Sequence, residues 1–393
     1  MRPPTAPELT LLVEAMTPWH APATDFRDWD ATRWERVLAA ADWHRLAPVL
    51  FDRLRDNHAV PPGVRTQLEE RYLANVARNM YMRRTLDNVL QALDAAGVPA
   101  LPLKGAALIE MVYSDAGLRE MFDLDLLVPR PQLAVAEAAV ATLGFRDDPV
   151  AYGSEHLPRS LRAPDHHEPG LVSADGFTAV ELHHHIAISG EGNGLAIGDV
   201  WRRARAAGTF ELSPAPDDLL LHVALHYTRS RLAGRTAGAL AQVCDMAMLA
   251  QRGQVDWERL VASACAYSLE TRLFLALGSA AELGAPVPAE VVAALRPDGA
   301  DASILDRFLA LRVLRTSEHE VLRPLRRMVV PRRSRLGLLR RASSDAWLAL
   351  PGAYVRRTRD QTPRVLGLFR RPLAETISDY RLSGELSTLE HRN

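Results

Sequence analysis

The sequence is almost without lysine. Of its 47 basic residues Lys104 is the single lysine, all the others being arginine. Cysteine is nearly as scarce: Cys244 and Cys265 are the two in the chain, and neither lies in a CxxC or His-paired spacing, which excludes a disulfide framework and favours small core residues over a cysteine-built metal site. No apolar run approaches the roughly 20 residues of a membrane span, and Met-Arg-Pro-Pro-Thr-Ala-Pro-Glu offers no apolar signal segment, so a cytoplasmic, reducing setting is expected. Excess charge is also missing overall. The net charge of -1, with 48% apolar and 24% charged residues, is that of a globular protein with ample core and excludes a mainly disordered chain.

That near-neutral total conceals an asymmetry. Residues 323–371 hold 14 arginines against only two acids, Asp345 and Asp360, so the body of the chain is anionic and this end cationic. Such an end can contact an anionic partner, whether a nucleic acid, a membrane face or an acidic peptide, or dock on the chain's own acidic body.

What is present gathers around residues 101–128. A short apolar segment runs into Lys104-Gly105, an apolar-periodic helix follows, and after Arg119 comes Asp123-Leu-Asp125-Leu-Leu-Val. On a strand, side chains alternate, so Asp123 and Asp125 share one face while Leu124 and Leu126 share the other. A carboxylate pair on an apolar strand suits Mg²⁺, which is usually held by one or two carboxylates plus substrate phosphates. In a chain otherwise committed to arginine, the exceptional Lys104 marks a position that needs a compact point charge rather than a planar guanidinium.

The flanking segments are largely helical. Residues 1–30, rich in proline, read as a partly ordered arm; helical spacing covers 34–54 with a break at Pro48, and a long helix over 64–96 stops at Gly97. A buried strand is expected at 98–103, a helix from Gly105 to Tyr113, and another from Gln132 to Leu143. Ala174-Asp175-Gly176 signals a hairpin whose second strand, Phe177 onward, puts Glu181, His183 and His185 on one face. Beside the Asp123 strand, Glu181 would supply a third carboxylate. The His183-His184-His185 run also admits a zinc reading, although no cysteine accompanies it. Helices then recur from Pro214, including one over 302–311. The expected organisation is an N-terminal helical region (1–75), a core (76–210), a C-terminal helical domain (211–322) and the Arg-rich region (323–393), with an α+β fold.

Taken together, Leu103-Lys104-Gly105, Arg119-x-x-x-Asp123-x-Asp125 and Val180-Glu181-Leu182-His183 resemble the bacterial "uncharacterised nucleotidyltransferase" family of the polymerase-beta-type nucleotidyltransferase superfamily. The resemblance extends over about residues 34–290, taking in Ala41-x-x-His44-x-Leu46-x-Pro48, the Asp218–His226 helix, Asp245 and Asp256-Trp257. It implies a small mixed β-sheet core, with Asp123, Asp125 and Glu181 as ligands of Mg²⁺ or Mn²⁺. It also implies Lys104, Gly105 and Arg119 near the phosphates of an NTP such as ATP, and His183 in an auxiliary role. The reaction implied is transfer of a nucleoside monophosphate to an acceptor, be it a small molecule, a peptide or tRNA. The pattern departs from the superfamily's at Ala106, where serine or glycine is usual, and in the 18 residues from Gly105 to Asp123. A nucleotidyltransferase-fold scaffold that recruits a partner through its Arg-rich end is the alternative.

Overall fold

In a computed structural model of the chain, the described residues are 7–16, 24–147, 166–187, 195–232, 235, 237–297 and 308. The Arg-rich region and the helix expected over 302–311, apart from Phe308, lie outside them.

Alternation of acid and leucine makes β2 (Asp123–Leu127), and the hairpin around Gly176, whose φ of +72° the turn requires, makes β4 (Leu171–Val172) and β5 (Ala179–His183). With β1 (Leu101–Pro102) and β3 (Arg146–Asp147) they form a five-stranded sheet in the order β1-β2-β5-β4-β3. The β2–β5 pairing is parallel and the others antiparallel, so the fold is α+β with a small mixed sheet. Its parallel register sets Asp125 against Glu181 and Leu127 against His183. The strand expected over 98–103 shrinks to two residues because Pro102 lacks a donor and Lys104 turns into the left-handed region.

The leucine face of that pair, Leu124, Leu126, Val180 and Leu182, is buried under α4 (Pro62–Ala95) and α6 (Leu133–Ala141), where it meets Met82, Leu86, Val89, Ala136 and Val140. The long α4 ends where the sequence says it should, at Gly97 with φ +68°. The sheet's other side turns toward α5 (Lys104–Met111) and α8 (Pro216–Leu232), which follows the short α7 (Ile197–Arg203); α9 (Ala239–Arg252), α10 (Trp257–Ala266) and α11 (Glu270–Glu282) pack on α8.

A second apolar cluster joins these helices to the N-terminal ones, α2 (Ala31–His44) and α3 (Ala47–Leu54). It also includes Leu9, Leu11, Leu12 and Val13. Part of the stretch expected to be a partly ordered arm is therefore a helix, α1 (Pro7–Met16), because its leucines reach the shared core. Among the described residues no helix is long and apolar enough to cross a membrane.

Candidate active site

The segment between α5 and β2 delivers two of the site's side chains, and α4 fixes its path. Asn75 Nδ2 donates to Gly117 O at 2.8 Å, and Asn79 Nδ2 donates to Ala116 O at 2.6 Å and Arg119 O at 2.8 Å. Tyr72 OH donates to Asp115 at 2.6 Å. Three helix side chains thus satisfy carbonyls and a carboxylate that the irregular backbone leaves over. The long spacing from Gly105 to Asp123 is occupied by the end of α5 and a 3₁₀ turn, Ala116–Leu118, so it does not separate the two motifs in space.

At the start of α5, Leu103 N donates to Asp125 O at 2.9 Å, which locks the β1–α5 junction against β2. Lys104 follows with φ +42°, a conformation that costs a side-chain-bearing residue about 1–3 kcal/mol. Its Nζ donates to Asp125 Oδ1 at 2.6 Å. From β5, His183 Nε2 reaches the same oxygen at 2.8 Å. A carboxylate can only accept, so Nε2 carries the proton in this contact. His183 Nε2 also lies 3.6 Å from Glu181 Oε2, and His167 Nε2 lies 3.8 Å from that oxygen.

Burial by itself would raise the Asp125 carboxyl; the Lys104 ammonium and the His183 hydrogen bond outweigh it and hold the group well below the usual carboxylate range. For Lys104, burial would favour the neutral amine, but Asp125, Glu181 and Asp123 outweigh it, so its pKa rises above the ordinary value and it stays an ammonium. Glu181 is lowered as well: burial and the charge of Asp125 would raise it, and the His183 hydrogen bond, with His167 and the Lys104 ammonium nearby, prevails. Asp123 goes the other way. Its place in the cleft, and then the negative charge of Asp125, push it up to about 6.

Asp123 lies on the wall of a cavity of about 410 Å³ between the sheet and α8–α9. Lys104, Gly105, Arg119, Arg45, His226 and Asp245 also line it. Asp125 and His183 lie behind the wall, 2% and 0% exposed. Arg119 is held on the wall by Asp245 of α9, with Nε and Nη2 on its two oxygens at 3.2 and 2.9 Å. Tyr113 OH donates to the same carboxylate at 2.8 Å. Gly105 leaves room for this clamp: a Cβ there would lie 2.8 Å from Arg119 Nη1.

Asp125, Glu181 and His183 each offer a ligand atom, all within 4.8 Å of one another, and they are the one such group among the described residues. Asp125 and Glu181, with Asp123 nearby on the same strand face, fit a divalent cation by donor chemistry, and His183, its Nε2 proton on Asp125, supports them. Of the three consecutive histidines only His183 joins this group. His185 instead accepts from Ala187 N at Nδ1 and donates to Leu195 O from Nε2, so the run does not assemble a zinc site.

A family model described as "Uncharacterised nucleotidyltransferase" matches residues 30–285. The chain belongs to this family. No curated protein and no solved structure matches it. In this nucleotidyltransferase-family chain, the residues expected from the sequence separate into a set behind the cavity, the buried Asp125 and His183 with the half-buried Glu181, and a cavity set, Lys104, Gly105, Arg119 and Asp123.

Three contributors were not foreseen. His166 and His167 pack against His183 with ring centroids 5.3 and 4.8 Å away, and His167 bridges to it through the backbone. Burial, followed by Arg229 for His166 and by His183 for His167, lowers both pKa values, to about 4 for His167, so both rings stay neutral. The adjacent pair of histidines just ahead of the hairpin was the available signal. Asp245 stood in the sequence as a motif position, but its clamp on Arg119 spans 126 residues and has no local signature.

Proposed function

We propose that the chain transfers a nucleoside monophosphate from an NTP to an acceptor hydroxyl and releases pyrophosphate. The observation that carries this reading is the convergence of Asp125, Glu181 and His183 from two parallel strands, with Lys104 and Asp123 between them and an open cavity. Family membership supports it.

Asp123, Asp125 and Glu181 would hold the divalent ion, Mg²⁺ or Mn²⁺. When bound, such an ion supplies charge neutralisation at the α-phosphate and lowers the pKa of an attacking hydroxyl. His183 fixes the orientation of the Asp125 carboxylate through its Nε2 hydrogen bond. Arg119, its guanidinium held by Asp245 and by Nη1 donating to Glu120 O at 2.7 Å, lines the cavity and would bring positive charge to the substrate phosphates. Lys104 keeps its positive charge beside the carboxylates throughout, which favours developing negative charge on a nearby phosphoryl group.

Label transfer tests the reading. Incubating the chain with each NTP carrying ³²P at the α- or the γ-position, Mg²⁺ or Mn²⁺, and host extract should move the α label onto an acceptor. Asp123→Asn should abolish that movement while circular dichroism and the melting temperature show an intact fold. Movement of the γ label instead, or undiminished transfer by Asp123→Asn, overturns the proposal.

A further inference from the structure

The cavity carries a second group of cations, on elements that hold none of the carboxylate cluster. Arg231, in the last turn of α8, is fully buried and lines the cavity, as do Arg235 just beyond that helix and Arg45 at the end of α2. Positive charge on the wall of a cleft this large favours an anion inside it, and about 410 Å³ is room for a small molecule. Seven residues of α9 separate Gly238, at the α8–α9 turn, from Asp245, which is about 10 Å along the helix, so Arg231 and Arg235 stand apart from the Arg119 clamp. Arg45 is the most telling of the three. It closes α2 at φ +57°, the left-handed position that glycine ordinarily fills and that strains a residue with a Cβ. Its stem passes Gly238, where a Cβ would lie 3.4 Å from Arg45 Cδ, and its guanidinium sits 4.5 Å from the centre of the Phe122 ring, next to Asp123 in the chain. Gly238 N donates to Trp43 O at 2.8 Å and ties the end of α2 to the start of α9, so the arginines share one frame. Of the acids on the wall, Asp245 is engaged by Arg119 and Tyr113, Asp123 belongs to the carboxylate cluster, and burial pushes Glu120, near Arg45 and Arg78, up toward its neutral form.

We propose that Arg45, Arg231 and Arg235 form an anion subsite that holds a phosphate or carboxylate group of the acceptor, apart from the Arg119 edge where the NTP phosphates would lie. The identity of the ligand rests on the transfer reading, which this subsite makes more specific: the acceptor carries an anionic group beside the hydroxyl that is modified. Guanidinium groups suit such oxygens because each can donate two parallel hydrogen bonds. The strain at Arg45 then has a reason. Glycine would relax the end of α2 but would leave the subsite without one of its cations.

The test uses inorganic phosphate on the full chain, without metal ion or nucleotide. The ³¹P resonance of phosphate should broaden saturably with the wild type. Arg45→Gly should weaken that binding by about tenfold or more, the loss expected for one charge-assisted contact, while the melting temperature stays the same or rises because glycine is at ease in the left-handed turn. A folded Arg231→Gln should weaken it as well. Absence of saturable binding, or wild-type affinity in Arg45→Gly, overturns the proposal. A second arm adds saturating α,β-methylene-ATP with Mg²⁺, a nucleotide that cannot be cleaved between its α- and β-phosphates. Phosphate should remain bound beside it; displacement would assign the arginines to the nucleotide's own phosphates and also overturns the proposal. Phosphate binding with neither nucleotide binding nor label transfer leaves the anion subsite standing and removes the transfer reading.

Discussion

The two faces of the β2–β5 strand pair are built from the same ten residues, yet they follow opposite rules. On one, Leu124, Leu126, Val180 and Leu182 are each at most 1% exposed and pack in an apolar cluster with side chains of α4 and α6. On the other, Asp123, Asp125, Glu181 and His183 crowd like charges and a buried imidazole together with one ammonium. The first face contributes stability through burial. The second sacrifices some of it, since three carboxylates in one cleft repel one another and Asp123 is left uncompensated. Stability and chemistry are therefore separated by the thickness of a single strand, which lets either be changed with little effect on the other.

The largest expected effect lies on the apolar face. Leu126→Ala leaves a cavity under α4 and should cost about 3 kcal/mol in urea unfolding, within the usual range for a buried leucine. Mn²⁺ binding per folded molecule should stay as in the wild type; a matching loss of binding would show that the faces are not independent. A smaller effect is expected at the junction of the site and its supports. Gly105→Ala must displace Arg119 or Met121, which a Cβ would approach to 2.8 and 3.2 Å, and should cost about 2 kcal/mol of stability while weakening phosphate-dependent binding. An Asp245→Asn variant that reproduced the binding defect would assign it to the Arg119 clamp rather than to general loosening.

The smallest effect has the opposite sign. Asp123 holds its proton up to about 6, above the ordinary value, so the folded state binds that proton more tightly than the unfolded chain does. Its contribution to stability is therefore most favourable below the ordinary carboxylate range and is lost as pH rises toward 6. At pH 7 Asp123→Asn should raise the unfolding free energy slightly, by less than about 1 kcal/mol once water in the cleft screens the charge, with a small rise in melting temperature. The same proton competes with the divalent ion. Wild-type Mn²⁺ affinity should fall by up to about tenfold per pH unit below 6, while Asp125, held well below the usual range, stays ionised. A pH-independent affinity between 5 and 7 would contradict the assignment of Asp123 to the ion.

Much of this site was legible because it depends on short-range periodicity. Alternation in Asp123–Leu127 and in Ala179–His183 states which residues share a face, and the Gly176 turn announces the hairpin. The Asp125–Glu181 pairing was an expectation that needed the strands to be neighbours, and the parallel register supplies it. His166 and His167 escaped notice because they lie outside any periodic element, and α1 because proline-rich flanks hid four residues that the core uses, Leu9, Leu11, Leu12 and Val13.

By itself the sequence determined the α+β class, the carboxylate face of β2, the singular status of Lys104 and membership in a nucleotidyltransferase family, since each of these is written in residue types at fixed local spacing. Only the tertiary structure decided which oxygen Lys104 and His183 share, that Arg119 is held by Asp245, and that Asp123 and Asp125 have opposite proton affinities. Charges and hydrogen bonds act through space over a few ångströms, and the chain brings those groups together from positions as far as 126 residues apart.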